Sequence, residues 1–278
     1  MTFESVFAAT RSQGRCGLFP YMMCGIPDAG TTVGLFEAMA EAGADGFEVG
    51  IPYADPLMDG PVIQRAGAAA LQGGMTLRGG LALTRQIVEA TGLPCAVMTY
   101  VNPILRIGAE RFAAEAAASG ATAVIVADLP VDESHPIEGA LAEQGLGLVQ
   151  FAAPTTTDLR LRQVVDRARP FVYGIAEMGV TGERDGSTSR AAELASRIRA
   201  MSDVPLVFGV GISGPAQAAA AARVADGVIV GTALVRRVME ADDARDARAS
   251  VAQLVTDLAQ AVRGEGSGLG HETDRRTS

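Results

Sequence analysis

The sequence predicts a single-domain α/β protein, a (β/α)8 barrel of the TIM type, on three observations. A pattern of helix end, turn and short apolar strand recurs in EAGADGFEVG (41–50), ASGATAVIVA (118–127), EQGLGLVQFA (143–152) and ARVADGVIVG (222–231). The strand candidates are near-continuous apolar runs, as expected of a parallel sheet covered on both faces. Eight such runs, each followed by a helical stretch, fill the chain, and eight βα units in about 250 residues are the arithmetic of a barrel.

In chain order the units begin with GLFPYMMC (17–24) and a helix over 31–42. The strand ending in FEVG (47–50) leads to helices over 62–72 and 77–91, and PCAVMTY (94–100) to one over 109–119. The strands within 118–127 and 143–152 precede helices over 134–145 and 158–168. PFVYGIA (170–176) precedes 189–201, VPLVFGVG (204–211) precedes 214–223, and the strand within 222–231 precedes one long helix over 233–262. A doubly wound open sheet is the competing architecture. It uses fewer strands in this length, and the Gly-rich dinucleotide fingerprint is missing after the first strand. The barrel domain spans 1–263, and the tail GEGSGLGHETDRRTS (264–278), Gly- and charge-rich without apolar periodicity, reads as disordered.

Composition narrows the function. A net charge of −9 with no basic cluster argues against nucleic acid, so an anionic ligand must be held locally by backbone N–H groups or a few placed cations. Cys16, Cys24 and Cys95, an odd number without CxxC spacing, suit a reducing compartment, and two histidines (His135 and His271) cannot build a multi-His metal site. The N-terminal stretch has no long apolar region and no run of 18 apolar residues occurs, which predicts a soluble, cytoplasmic protein with no membrane partner.

In a barrel the chemistry sits at the C-terminal ends of the strands. Alternation along FEVGI puts Phe47, Val49 and Ile51 on the helix side and Glu48 inside the barrel, with Gly50 leaving space above it. Two readings are open: a structural glutamate paired with Arg or hydroxyls, or an acid–base group whose pKa is raised by burial. The next loop, IPYADPLMDGP, adds Asp55 and Asp59. Both suit turns and caps, and Asp59 also suits a second carboxylate folded back onto Glu48's ligand. Separately, VFGVGISGPAQAAAA (207–221) and VIVGTALVRRV (228–238) each place a Gly-rich turn before a helix. Ser213 is the expected N-cap with Pro215 near N1, and Gly231 and Thr232 open the second helix. These are the loops where barrels commonly hold phosphate on helix N-termini, against the plain alternative of turn and capping chemistry. MGVTGERDGST (178–188) is long and Gly-rich, the composition of a mobile lid.

FEVGIPYADPLMDGP resembles the signature of the tryptophan synthase alpha subunit family. The agreement continues in family order through VIQRA (62–66), MTYVNPILRIGAERF (98–112), VADLPVDES (126–134), GVTG (179–182), FGVGIS (208–213) and VGTALV (230–235). The resemblance covers about residues 1–262 and implies retro-aldol cleavage of indole-3-glycerol phosphate to indole and glyceraldehyde 3-phosphate. It implies Glu48 as the acid–base residue protonating indole C3, and Asp59 as acceptor of the indole N–H. Tyr100 and Tyr173 would line the site, Tyr21 and Ile63 would pack on the indole, and Thr181 would belong to the lid. Phosphate would lie on Gly182, Gly211, Gly231 and Thr232, with Ile212 and Ser213 beside them.

The resemblance also implies a beta-subunit partner in an alpha2beta2 heterotetramer, docked on 52–60, 101–108 and 128–132. Pyridoxal phosphate is expected only on that partner, and no cofactor on this chain. The sequence departs from the family pattern at Ala176-Glu177, before the lid, and at Ile26, which bears on lid behaviour and partner communication. The alternatives are a stand-alone lyase releasing free indole, a non-catalytic barrel that activates a partner, and another phosphosugar barrel enzyme, which the DPLMDGP loop disfavours.

Overall fold

Eight apolar runs become eight parallel strands: β1 (Gly17–Met23), β2 (Phe47–Gly50), β3 (Cys95–Thr99), β4 (Ala123–Val126), β5 (Gly147–Ala152), β6 (Val172–Gly174), β7 (Leu206–Phe208) and β8 (Gly227–Val230). They pair in sequence order, and β8 closes on β1, giving a closed (β/α)8 barrel. The computed structural model describes residues 1–176 and 185–264, with the backbone alone at 185–189. The expected disordered tail lies outside the described residues, apart from Gly264, which ends the last helix. No helix among the described residues is long and apolar enough to cross a membrane.

Register aligns the side chains across neighbouring strands. Tyr21 of β1, Glu48 of β2 and Ala96 of β3 are neighbouring Cα partners, so their side chains point to the same face of the sheet. β6 and β7 are shorter than the apolar runs that predict them, and Ile175 and Gly209, just beyond their ends, line the cavity above the sheet.

Three helices differ from the sequence reading. Phe3–Ser12 forms an additional N-terminal helix, with Thr2 as N-cap in a capping box with Ser5. Its Phe3 and Phe7 pack on Phe19 and Phe171 with ring centroids 5.4–6.0 Å apart, closing the barrel at the strands' N-terminal ends. Val101–Ile107 is a short helix that stops at Gly108, whose φ of 90° ends it before Ala109–Ala118 begins. The single helix expected over 233–262 is two, Thr232–Glu240 and Ala244–Gly264. Ala241 is extended there, and Asp243 accepts from the Asp246 N–H at 2.8 Å, starting a new helix.

Candidate active site

At the C-terminal mouth of the barrel, a cavity of about 420 Å³ opens over the strand ends. Glu48 lies in it, 4% exposed, with no Arg in reach, so the paired-glutamate reading does not hold among the described residues. Gly50 is not the vacancy the sequence suggested. A Cβ there would lie 2.3 Å from the Tyr21 hydroxyl, so the space above Glu48 is taken by the Tyr21 ring.

Asp59 reaches the same cavity because its loop folds back in tight turns. The Leu57 N–H donates to Asp55 O at 3.0 Å, the Asp59 N–H donates to Pro56 O at 3.1 Å, and the Gln64 amide donates to Asp59 O at 2.9 Å. Asp55 faces solvent and takes no part. Tyr100 stands behind the loop rather than in the cavity lining. Its hydroxyl accepts the Met58 N–H at 3.3 Å and donates to the Asp59 carboxylate. The family resemblance had placed Tyr100 on the wall; here it holds the aspartate.

The two carboxyls are unlike. Burial pushes the Glu48 pKa up to about 8, with the Asp59 charge adding to it. Burial also raises Asp59, but the Tyr100 hydrogen bond opposes that rise. One carboxyl therefore keeps its proton near neutrality while the other has a donor built in to stabilise its charge. The Tyr21 and Tyr173 phenols are raised well above the usual range, by burial first and then by the carboxylates, so both remain neutral donors.

The remaining predicted residues divide. Ile63, Tyr173, Gly211, Gly231 and Thr232 line the cavity with Tyr21. Gly211 has φ 77°, a backbone that favours glycine, and Gly231 caps the helix that Thr232 begins. Ile212 points into the core instead. Ser213 is not the cap: Pro215 fixes the helix start, so the extended residue before it, Gly214, holds that position. Ser213 opens onto a neighbouring cavity of about 480 Å³. Thr181, Gly182 and Glu177 lie outside the described residues, as does most of the expected lid.

Sequence reasoning missed the apolar wall of Met98, Ile125 and Phe151, whose ring lies 5.2 Å from that of Tyr173. Strand alternation was the available signal, but in strands apolar on both faces it does not say which face is inside. Among the described residues no group of three or more His, Cys, Asp or Glu is placed to hold a metal ion.

Comparison with known proteins decides the family. The tryptophan synthase alpha chain family model matches residues 7–263. The chain belongs to the tryptophan synthase alpha chain family. The Streptomyces coelicolor tryptophan synthase alpha chain is 43% identical over 262 residues, covering 94% of this chain and 97% of that protein. A Mycobacterium tuberculosis tryptophan synthase structure superposes with TM-score 0.83 at 42% identity, over 93% of this chain and 97% of that one. The Legionella pneumophila subunit alpha structure gives TM-score 0.86 at 31% identity, over 94% and 98%. Membership accounts for the lyase chemistry and the place in tryptophan biosynthesis that the motifs implied.

Proposed function

We propose that the protein cleaves indole-3-glycerol phosphate to indole and glyceraldehyde 3-phosphate by acid–base chemistry on Glu48 and Asp59. One observation carries this reading: two carboxyls in unlike environments line one apolar cavity, the arrangement that divides acid and base roles. Glu48, protonated near neutrality, gives its proton to indole C3, and Asp59 accepts the indole N–H and stabilises the cation that forms. The glycerol hydroxyl then loses its proton to the Glu48 carboxylate as the C–C bond breaks. The aldehyde leaves, indole is restored, and no proton is gained or lost overall. The chain contains no lysine, so none of its side chains can form the Schiff base that a lysine-dependent aldolase uses.

The substrate phosphate lies across the loops after β7 and β8. Gly211, Gly231 and Thr232 offer backbone at helix starts whose caps use no side-chain acceptor. Gly182, Ile212 and Ser213 join them through backbone, and Thr181 belongs to the closing segment. Tyr21 and Ile63 pack on the indole, and Tyr173 faces the glycerol chain.

The partner is a beta subunit in an alpha2beta2 assembly, carrying the pyridoxal phosphate and receiving the indole. Leu57, Met58 and Leu105 are 77%, 59% and 61% exposed on the loop after β2 and the short helix after β3 that would meet it, which favours a docking partner over a free-standing lyase. The working compartment is the cytoplasm. The test is indole release from indole-3-glycerol phosphate with and without a beta subunit. Slow turnover that rises with partner supports the reading, partner-independent fast turnover makes it a stand-alone lyase, and no turnover in either case overturns it.

A further inference from the structure

Tyr21 carries a polar group that the acid–base scheme does not use. Its ring is wedged between glycines on the two strands that flank β1: a Cβ at Gly231 would lie 3.0 Å from the ring, and one at Gly50 would lie 2.3 Å from the hydroxyl oxygen. The ring therefore leans from the end of β8 across to β2, and the hydroxyl ends over Gly50, two residues beyond Glu48. Tyr21 and Glu48 are Cα partners in the β1–β2 ladder, and both line the cavity.

Tyr21 is 4% exposed, and its hydroxyl meets the Met23 sulfur at 3.8 Å. A thioether is a weak acceptor, so this buried O–H has no strong one among its described hydrogen bonds. The titratable groups around the pair are Asp59 from the β2 loop, Tyr173 from β6, Tyr100 at the end of β3 and Cys24 at the end of β1. Ala96, the β3 neighbour of Glu48, titrates nothing. Tyr173 is the second phenol in the cavity lining, but its hydroxyl lies over Gly209 beyond β7, and β6 is not adjacent to β2.

We propose that Tyr21 is a positioning residue for the acid: once Glu48 has given up its proton, the Tyr21 hydroxyl donates to the new carboxylate and holds it in place until it is reprotonated. This rests on the acid–base reading of Glu48. The phenol keeps its own proton throughout, and only a hydrogen bond forms. A donor that serves the ionised form lowers the pKa of its partner, so the hydroxyl makes Glu48 a stronger acid than burial alone would.

Tyr21→Phe keeps the ring and removes the donor. Three quantities decide the matter in the full chain: kcat and KM for cleavage, the pH profile of kcat, and the titration of the Glu48 carboxyl carbon by 13C NMR, assigned by its loss in Glu48→Gln. In Tyr21→Phe we expect kcat to fall about tenfold with KM within about twofold, since the interaction is made only after proton transfer. The Glu48 titration and the alkaline limb of kcat should both move up by about one pH unit. An unmoved titration overturns the proposal, whether kcat falls or not, and so does a raised KM with kcat unchanged, which would make the hydroxyl a substrate contact. The titration needs no turnover. A wild type that releases no indole would therefore sink the proposed function while the NMR still decides the Tyr21 contact.

Discussion

Phe19 and Tyr21 stand two residues apart on β1, face the same way, and meet opposite fates. Each is flanked by glycines on the neighbouring elements. A Cβ at Gly227 would lie 2.5 Å from the Phe19 ring, much as one at Gly50 would crowd the Tyr21 hydroxyl. At the lower end the helix Phe3–Ser12 drops two phenylalanines onto Phe19 and fills the mouth. At the upper end no helix among the described residues packs an aromatic ring on Tyr21, which lines the cavity with Glu48. Charges follow the same division. At the lower end Asp45 is held by Arg15 through two 2.8 Å contacts, whereas at the upper end Glu48 has no cation beside it among the described residues. One end is arranged for stability, and the other keeps a buried carboxyl beside a second one at a cost in stability.

The largest expected effect tests the upper end. Glu48→Gln should lower cleavage by about 1,000-fold or more, measured as indole release. Wild-type cleavage should itself fall as pH rises through about 8, where Glu48 loses its proton. Stability should move the other way. The folded protein holds the Glu48 proton more tightly than the unfolded chain does, so wild-type stability is lost as pH rises from about 4.5 through about 8. Thermal melts at pH 6 and pH 9 should therefore show Glu48→Gln more stable than wild type at the higher pH. A variant that melts earlier at pH 9 would mean the glutamate is structural.

The next effect belongs to the lower end. Phe3→Ala should cost about 3–5 kcal/mol in a denaturant titration, as a buried ring is replaced by a cavity, while KM of the folded enzyme stays the same. A changed KM would show that the two ends are coupled and break the contrast. Asp59→Asn should slow cleavage about 100-fold without moving the melting temperature greatly, because Asp59 is held by a surface loop and one tyrosine. Smallest, Gly211→Val should raise KM about tenfold with kcat nearly unchanged, since a β-branched residue resists the φ of 77° at the proposed phosphate site. An unchanged KM would place the phosphate elsewhere.

Much of the upper end was legible in the sequence. Alternation alone put Glu48 inside the barrel, and the eight apolar runs put its loop at the catalytic mouth. The lower end was harder to read. Phe3, Val6, Phe7 and Thr10 have helical spacing, and Thr2 and Ser5 form the cap, but ten residues of weak pattern before a Gly do not declare a plug until Phe19 and Phe171 are seen beneath them. The break at Ala241–Asp243 was similarly present as a capping aspartate inside an acidic run, where a cap and a solvated helix face look alike.

By itself the sequence determined the class of barrel and placed Glu48 inside it, on the loop-bearing end of its strand, because strand periodicity and chain order are local properties. Only the tertiary structure decided that Glu48 has no partner cation among the described residues, that Tyr100 stands behind Asp59, and that Gly50 and Gly231 make room for Tyr21. The physical reason is the closure of the barrel. Which side chain fills the space above a strand end depends on the strands to either side of it, and β1 and β8 become neighbours only when the sheet closes.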